Sequence, residues 1–299
     1  MMKICLIGGG GFIGTNTARH LRHLGHDVWV ADIVRVNHNS WQYCDVTDKT
    51  HVEDLLHSSW QWDVVYYFAS VIRAEDCRQN PEHARRVNID GLTNVLNCLR
   101  HTKTRIVYSS TVHVYTDPSP DPLTEDAKID CNVPGHIYPI TKLIGEMLIR
   151  SYNFLYGIPY TITRYGIVYG EGGHEDLAVH AFIKNGLNEK PLRVEGGGVA
   201  KRNFVYIQDI VKGNAALLCD EAVNQTINLC SDQSVSIRDV AMLVSNYIGN
   251  CDLQITAGRV GDHSEVQISN QKAKELLGWK PEYDFKDTVH KLIDQKSFM

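Results

Sequence analysis

Short apolar runs alternate with longer amphipathic stretches through the first two thirds of the chain. The apolar runs lie at residues 4–7, 28–31, 63–68, 105–108 and 160–164. Runs of this length predict buried strands. The stretches at about 81–100 and 137–156, with apolar residues every three or four positions, predict helices. Strands and helices that alternate in this way predict an α/β fold with a parallel, doubly wound sheet.

The pattern changes after Tyr169. Glycines cluster at 170–173 and 196–198, and strands no longer alternate regularly with helices. We interpret this part of the chain as a smaller C-terminal α/β domain built over the ends of the strands. The predicted division is a first domain of residues 1–170, to which about 204–232 return, and a second domain of residues 171–203 and 233–299.

Four glycines at positions 8–11 directly follow the first apolar run and precede a predicted helix. Glycine lets the backbone turn sharply and approach a ligand closely, and the N-terminus of a helix attracts anions. The arrangement therefore predicts a turn that binds phosphate. Gly9, Gly11 and Gly14 fit the pattern G-x-G-x-x-G, while Gly8, Gly11 and Gly14 fit G-x-x-G-x-x-G, and the sequence does not choose between these registers.

Asp32 ends the second apolar run. A carboxylate at this position suits hydrogen bonds from the adenosine ribose hydroxyls of a dinucleotide, and it would repel a 2′-phosphate. The residue therefore favours NAD over NADP. Arg35 lies close by in the sequence, so NADP remains the alternative cofactor. An ordinary loop acid is the alternative role for Asp32.

Tyr138 and Lys142 lie four positions apart and would share one face of a helix. An ammonium group close to a phenol favours the phenolate, and together with a positive nicotinamide it could lower the pKa of the phenol from about 10 towards neutrality. Such a phenolate is a general base that can remove a hydroxyl proton while hydride leaves the same carbon. Thr111, which follows the strand predicted at 105–108, would hydrogen-bond to both the phenol and the substrate hydroxyl. The spacing alone is weak evidence, and the upstream glycine turn strengthens it.

Composition limits the possible partners and locations. The chain has 299 residues, of which 43% are hydrophobic, and a net charge of −5. This balance implies no general attraction to nucleic acids or membrane surfaces. We find no apolar run of the length of a membrane span and no signal peptide. The eight cysteines are scattered without a C-x-x-C pair, which is typical of reduced thiols in a cytoplasmic protein.

A cluster of histidines, His20, His23 and His26, suggests a metal site at first sight. Gly25 ends the predicted helix before the third histidine, and no acid completes a tetrahedral ligand set. We therefore expect no metal.

Six segments spread over nearly the whole chain have the form of known motifs. They are Gly-Gly-Phe-Ile-Gly (10–14), Asn-Ile-Asp-Gly (88–91), Val-Tyr-Ser-Ser-Thr-Val-His-Val-Tyr (107–115), Tyr-Pro-Ile-Thr-Lys (138–142), Arg-Asn-Phe-Val-Tyr (202–206) and Leu-Gly-Trp-Lys-Pro (277–281). Jointly they resemble the extended short-chain dehydrogenases/reductases of the NAD-dependent nucleotide-sugar epimerase/dehydratase family. The resemblance implies a Rossmann fold, NAD as cofactor, a nucleotide-diphosphate sugar as substrate, and a homodimer formed through helices 81–100 and 137–156.

The resemblance also assigns the residues of the site. It places catalysis on Tyr138, Lys142 and Thr111. The NAD site would consist of Gly8, Gly11, Phe12, Ile13, Gly14, Asp32, Asp45, Val46, Ala69, Asn88, Ser109, Tyr138 and Lys142. The substrate would contact Thr111, Tyr138, Arg202 and Arg259. The two arginines match positions that clamp a diphosphate, a task that suits the permanently charged, bidentate guanidinium group; structural ion pairs are the alternative for both.

Two departures from the family pattern bear on the type of reaction. Val112 and His113 follow Thr111 where sugar 4,6-dehydratases carry Asp-Glu. Residues 164–170 are Arg-Tyr-Gly-Ile-Val-Tyr-Gly, without the Asn that many UDP-sugar epimerases carry shortly before Val-Tyr-Gly. The preferred hypothesis is an epimerase that oxidises its substrate transiently to a keto-sugar. The alternatives are a dehydrogenase or ketoreductase, a sugar dehydratase, and a non-catalytic dinucleotide-sensing regulator. The presence of Tyr138, Lys142 and Thr111 argues against the regulator.

Overall fold

The structure is a computed structural model that describes residues 1–56, 61–115, 121–132, 136–249, 251–257 and 267–297. Its strands are β1 (Lys3–Ile7), β2 (Asp27–Asp32), β3 (Trp41–Tyr43), β4 (Val64–Tyr67), β5 (Arg105–Thr111), β6 (Tyr160–Tyr165), β7 (Ile167–Tyr169), β8 (Leu192–Glu195), β9 (Lys201–Arg202), β10 (Phe204–Tyr206), β11 (Gln225–Leu229), β12 (Val235–Ser236) and β13 (Leu253–Thr256). Its α-helices are α1 (Phe12–His23), α2 (Lys49–Leu56), α3 (Ala74–Gln79), α4 (Pro81–Arg85), α5 (Gly91–Leu99), α6 (Ile137–Tyr156), α7 (Ala178–Leu187), α8 (Ile207–Ala216), α9 (Ile237–Ile248), α10 (Gln271–Leu277) and α11 (Phe285–Ser297). No helix within these ranges has both the length and the apolar character needed to cross a bilayer.

Seven strands form one sheet in the order β11-β6-β5-β4-β1-β2-β3, and all neighbours in it are parallel. Ile4 of β1 lies opposite Val28 of β2 on one side and Val64 of β4 on the other. The strand order reverses between β1 and β4, and ligands in such sheets bind beyond the carboxyl ends of the strands at that point. The predicted doubly wound parallel sheet is confirmed.

Helices cover both faces of the sheet. On one face, α2, α5 and α6 bury apolar side chains that include Leu55, Val95 and Ile149. On the other face, α1, α8 and α10 bury Leu21, Ile210 and Ala273. Each large aliphatic side chain that is fully buried contributes about 1.5–3 kcal/mol. The two apolar layers therefore hold the carboxyl edge of the sheet in a fixed position.

A third apolar core lies beyond the sheet. It is formed largely by α7, β8, α9 and α11, which we call the C-terminal lobe, and it contains Phe182, Val194, Val244 and Leu292. Two-stranded sheets, β10-β7, β12-β9 and β13-β8, complete this part of the structure. The predicted division into two domains stays a prediction, which the separate core supports.

The helix predicted at about 81–100 is interrupted. The chain forms α4, then a π-helical turn at Arg86–Asp90, and then α5. Asn88 lies at the centre of this turn, and its buried side chain bonds to groups outside the helix. Such a turn cannot be predicted from helical periodicity, because one extra residue in a single turn leaves the apolar spacing on either side unchanged. The helix predicted at 137–156 is confirmed as α6.

A buried ion pair fixes α6 against the sheet. Glu146 of α6 accepts hydrogen bonds from Nη2 and Nε of Arg164 on β6, at 2.7 and 2.9 Å, and from Ser110 Oγ of β5 at 2.6 Å. Glu146 and Arg164 are 0% and 2% exposed. Burial alone would raise the pKa of the Glu146 carboxyl, but the hydrogen bonds from Arg164 and Ser110 hold it below its usual value. A pair desolvated to this degree holds the two elements in one register.

Replacement of Glu146 by alanine is expected to destabilise the protein strongly, because it leaves the Arg164 guanidinium buried without its carboxylate. The loss should be about 3–5 kcal/mol in the free energy of unfolding, measured by urea denaturation. The matched control is Glu82→Ala, which removes a surface pair with Arg85 and should leave the unfolding midpoint almost unchanged. Equal midpoints for the two variants would contradict this prediction.

Candidate active site

A cavity of about 1540 Å³ opens at the carboxyl edge of the sheet and continues onto the C-terminal lobe. We call it the central cleft. Most of the residues that the sequence assigned to a site line it, although they come from distant parts of the chain. These are Gly8, Gly11, Phe12, Ile13, Gly14, Asp32, Asp45, Val46, Ala69, Ser109, Thr111, Tyr138, Lys142 and Arg202.

The glycine turn forms one end of the cleft. Gly8 has φ +78°, in the left-handed region that favours glycine, and a Cβ there would overlap the backbone nitrogen of Ala69. A Cβ at Gly14 would lie 2.5 Å from the Cα of Gly9. Gly11 is the N-cap of α1, and no side chain caps the free N–H groups of this helix. A Cβ at Gly9 would lie 2.7 Å from the carbonyl oxygen of Leu6, so the turn needs glycine at both positions 8 and 9, and both registers fit it. The uncapped N-terminus of α1 forms a cradle that suits phosphate.

Asp32 lies beside this cradle at the end of β2. Its Oδ2 accepts a hydrogen bond from Gly10 N at 2.8 Å, and its Oδ1 accepts one from Val34 N at 2.9 Å. The two bonds hold the carboxylate at the cleft wall, where its remaining lone pairs can accept hydrogen bonds from a diol. Arg35 is exposed and does not belong to the cleft lining.

Asp45 and Val46 continue the wall beyond β3. Asp45 Oδ1 accepts hydrogen bonds from N and Oγ1 of Thr47, at 2.9 and 2.8 Å. The carbonyl of Val46 accepts one from Asn94 Nδ2 of α5 at 2.9 Å. These bonds fix the backbone next to the cleft, so this wall does not depend on the exposed loop that precedes β3.

Tyr138 and Lys142 lie one turn apart near the start of α6. Lys142 Nζ is 5.8 Å from the centre of the Tyr138 ring and 5.1 Å from that of Tyr108, and it donates a hydrogen bond to Ser109 Oγ at 3.5 Å. The side chain of Thr111, at the end of β5, hydrogen-bonds to the Tyr138 phenol. The structure therefore brings the three predicted catalytic side chains together at the cleft.

Burial governs the ionisation of this group. It raises the pKa of the Tyr138 phenol, and the hydrogen bond with Thr111 offsets only part of the effect. It also lowers the pKa of the Lys142 amine to about 7. The expectation that Lys142 and a positive nicotinamide together lower the pKa of the phenol stays a prediction. In the polypeptide by itself, the desolvated site disfavours the charged form of both groups.

Asn88, which was expected at the NAD site, does not line the cleft. It is 2% exposed. Its Oδ1 accepts a hydrogen bond from Val71 N at 2.7 Å, and its Nδ2 donates one to Thr141 Oγ1 of α6 at 2.9 Å. Asn88 therefore ties the segment after β4 to the helix that carries Tyr138, and it supports the cleft from behind.

Of the two predicted substrate arginines, only Arg202 can be located. It lies on β9, which pairs with β12, and it lines the cleft on the side of the C-terminal lobe. Arg259 lies outside the described residues.

Two further cations line the same wall, Arg193 of β8 and Lys201 of β9, and sequence reasoning missed both. The signal for Arg193 was present: Leu192 and Val194 are fully buried, so Arg193 points to the opposite side of the strand. In the described part of the chain, no three His, Cys, Asp or Glu residues are grouped so that they could hold a metal ion.

Replacement of Lys142 by methionine is expected to stabilise the cofactor-free protein at neutral pH. Lysine in an unfolded chain titrates near pH 10.4, but in the folded protein burial lowers the pKa to about 7. Between these values the unfolded chain binds more protons, so the stability of the wild type falls as the pH falls, and below pH 7 the loss is complete. The free energy of unfolding of Lys142→Met should therefore exceed that of the wild type by almost nothing at pH 10 and by about 4 kcal/mol at pH 6.

Thermal unfolding of both proteins at pH 6, 8 and 9.5 checks this expectation. Lys103→Met, at an exposed position, is the control and should show no comparable trend with pH. A gain for Lys142→Met that is the same at every pH would contradict the assignment of a buried, weakly basic amine.

Comparison with known proteins agrees with this geometry. The model of the "NAD dependent epimerase/dehydratase family" matches residues 4–230. A UDP-glucuronate 4-epimerase of Thermodesulfobacterium geofontis is 31% identical over 210 residues, which cover 69% of this chain and 64% of that protein. A UDP-N-acetyl-alpha-D-glucosaminuronate decarboxylase of Bacillus cytotoxicus is 27% identical over 317 residues, which cover 98% and 97%.

A solved structure extends the comparison to three dimensions. The UDP-glucuronic acid 4-epimerase of Bacillus cereus, in complex with UDP-glucuronic acid and NAD, has a TM-score of 0.88 and 26% identity, with coverage of 99% of this chain and 100% of that one. The matched segment of the family model contains the glycine turn, Asp32, Thr111, Tyr138 and Lys142. The chain belongs to the NAD-dependent epimerase/dehydratase family and is an NAD-dependent enzyme of that family.

Proposed function

We propose that the protein is a nucleotide-sugar epimerase that oxidises its substrate transiently to a keto-sugar and reduces it again. The observation that carries the proposal is the continuity of the central cleft. It joins the glycine turn, the group formed by Thr111, Tyr138 and Lys142, and a wall on the side of the C-terminal lobe. We call this the cationic wall, because it carries Arg193, Lys201 and Arg202. A cofactor and a sugar nucleotide can therefore meet at the phenol.

The residues present fit NAD. The turn at Gly8–Gly14 would hold its pyrophosphate, because the N–H groups at the start of α1 are free of side-chain caps. Glycine at positions 8 and 14 lets the backbone pack tightly enough to form this turn, since a Cβ at either would overlap neighbouring backbone. Asp32 would accept hydrogen bonds from the adenosine ribose. When bound, NAD+ supplies the hydride acceptor and donor and a positive charge on its nicotinamide ring.

Tyr138 is the proton-transfer group of the proposed reaction. Its phenolate takes the proton from a sugar hydroxyl, and the Thr111 hydroxyl hydrogen-bonds to the phenol and orients it. The phenol returns the proton after the keto-sugar has presented its other face. The Lys142 amine, whose pKa is about 7, occurs in both protonation states near neutral pH and stabilises the phenolate in its charged form.

The cationic wall is the proposed site for a nucleotide diphosphate. Arg202 would hold the diphosphate together with Arg193 and Lys201, because all three line the cleft on the same lobe. Arg259 is part of this proposal through the family resemblance alone. UDP is the favoured nucleotide, since the relatives described above are named for UDP-sugar substrates.

Epimerisation is favoured over dehydration by the residues next to Thr111. Val112 is buried and His113 lines the cleft, so no carboxylate stands at the two positions where 4,6-dehydratases carry Asp-Glu. Loss of water from the sugar needs an acid beside the reacting carbons. A dehydrogenase or ketoreductase uses the same three catalytic residues and is the second candidate.

We also propose a cytoplasmic location. All eight cysteines lie within the described ranges and are unpaired, and five of them are buried. Unpaired, buried thiols are typical of proteins from reducing compartments.

The purified protein, incubated with a panel of UDP-sugars without added NAD, is expected to form an isomeric sugar nucleotide. The reason is that a transient oxidation regenerates NAD+ in each cycle. Proton NMR of the products provides the measurement. Turnover that requires added NAD+ or NADH would support the dehydrogenase instead, and no turnover of any sugar together with intact NAD binding would support a dinucleotide-sensing regulator.

Tyr138→Phe is expected to lower kcat by about 10²–10⁴-fold, the usual contribution of a general acid–base group, while the amount of bound NAD stays unchanged. The matched control is Tyr152→Phe on the same helix, which removes a hydroxyl that bonds to Asn97 away from the cleft. This control should keep wild-type kcat. A Tyr138→Phe variant with wild-type kcat would remove the proposed role.

Exposed apolar side chains on α6 support the proposed homodimer. Ile140, Met147 and Phe154 lie seven positions apart on one side of the helix and are 45%, 59% and 87% exposed, and the first two also border the central cleft. An exposed apolar stripe on one helix suits an isologous contact with a second copy. Met147→Asp should therefore give a monomer in light scattering at micromolar concentration, whereas Leu24→Asp, at an exposed apolar position outside α6, should not. A wild-type protein that is monomeric would refute the dimer.

A further inference from the structure

An ion pair connects the segment between β4 and α3 to the segment before α7, and both of its residues line the central cleft. Arg73 immediately precedes α3. It lies on the segment that follows β4 in the chain, which Asn88 holds through a hydrogen bond from Val71 N. Asp176 lies just before α7. The two atoms Arg73 Nε and Asp176 Oδ2 are 3.0 Å apart, and both residues belong to the cleft lining. The pair therefore links two segments of the cleft wall that are far apart in the sequence.

Arg73 has a second carboxylate within reach. Asp76 lies one turn further along on α3, and its Oδ2 is 3.7 Å from the same Nε atom. Asp76 belongs to the same element as Arg73, whereas Asp176 belongs to the opposite wall. A guanidinium that moves from Asp176 to Asp76 keeps an ionic partner while the bridge opens.

The bridge is weak enough to exchange. The side chains of Arg73 and Asp176 are 52% and 51% exposed, and that of Asp76 is 52% exposed. Ion pairs in such solvated positions contribute little and are screened by salt. The Arg73 guanidinium can therefore move from one carboxylate to the other without leaving a buried charge unpaired.

The neighbouring acids are occupied elsewhere. Glu75 of α3 pairs with Arg78 at 2.7 Å, and Glu175 pairs with Lys184 of α7. Neither of these pairs spans the cleft, because each lies within one wall. Asp76 and Asp176 are the two carboxylates that pair with Arg73 in the described part of the chain.

We propose that Arg73 is a positioning residue that closes the central cleft over bound NAD by pairing with Asp176 and opens it by moving to Asp76. The closed pair holds the segment after β4 and the segment before α7 at a fixed distance. The open pair lets them separate so that ligands can leave. The proposal depends on the use of NAD by this family and not on the proposed sugar substrate.

The test measures the exchange of protein-bound NAD+ against an excess of radiolabelled NAD+, which needs no turnover. Asp176→Asn should speed the exchange about two- to fivefold, the equivalent of about 0.4–1 kcal/mol. Asp76→Asn should slow it, because it removes the partner of the open state. Glu75→Gln, on the same turn of α3, is the matched control and should exchange like the wild type.

Salt provides a second readout. Exchange from the wild type should accelerate between 0.05 and 0.5 M NaCl, because a solvated pair is screened, whereas Asp176→Asn should lose this dependence. The proposal is overturned if Asp176→Asn exchanges at the wild-type rate, or if Asp76→Asn and Asp176→Asn change the rate in the same direction. A protein that proves inactive towards every sugar nucleotide leaves this measurement intact, so the two proposals fail separately.

Discussion

The buried carboxylate of Glu146 fixes α6 and β5, which together carry the proposed catalytic residues Thr111, Tyr138 and Lys142. It accepts hydrogen bonds from Arg164 of β6 and from Ser110, the residue before Thr111. Tyr138 and Lys142 lie on the same helix as Glu146, so one desolvated ion pair sets the position of α6 relative to the end of β5. Since neither charge can leave its partner without a large cost, the distance between the phenol and the threonine does not depend on loops.

Burial disfavours the charged form of Lys142, which lies one helical turn before Glu146 on α6. The Lys142 amine is 2% exposed and has no carboxylate partner among the described residues, so its pKa falls to about 7. The same burial raises the pKa of Tyr138, so the polypeptide by itself keeps the phenol protonated at neutral pH. Under the proposed mechanism, the phenolate needs positive charge that the folded chain alone does not provide. Buried groups with shifted pKa values are common at functional sites, and this is consistent with the proton transfer that we propose for Tyr138.

The ion pairs Glu146–Arg164 and Arg73–Asp176 differ in their exposure to solvent. Glu146 and Arg164 are buried, hydrogen-bonded on several sides and confined to one arrangement. Arg73 and Asp176 are half exposed, and Arg73 has a second acid within reach. The first pair fixes α6 against β5 and β6 in one arrangement, and under our proposal the second exchanges between two carboxylates. Solvation decides between these roles, because it determines what an ion pair costs to break.

The sequence by itself determined the features that depend on local pattern. Apolar runs and helical spacing placed most strands of the main sheet and the long helix that carries Tyr138, and the glycine turn with Asp32 predicted the dinucleotide site. Tertiary structure decided what depends on solvent exclusion and on contacts between distant segments. It showed that Asn88 supports the cleft from behind, that Arg193 lines it and that Arg73 bridges it. It also showed that burial raises the pKa of Tyr138 in the polypeptide by itself. A one-dimensional pattern gives the spacing of charged residues along the chain but does not show how much water remains around them.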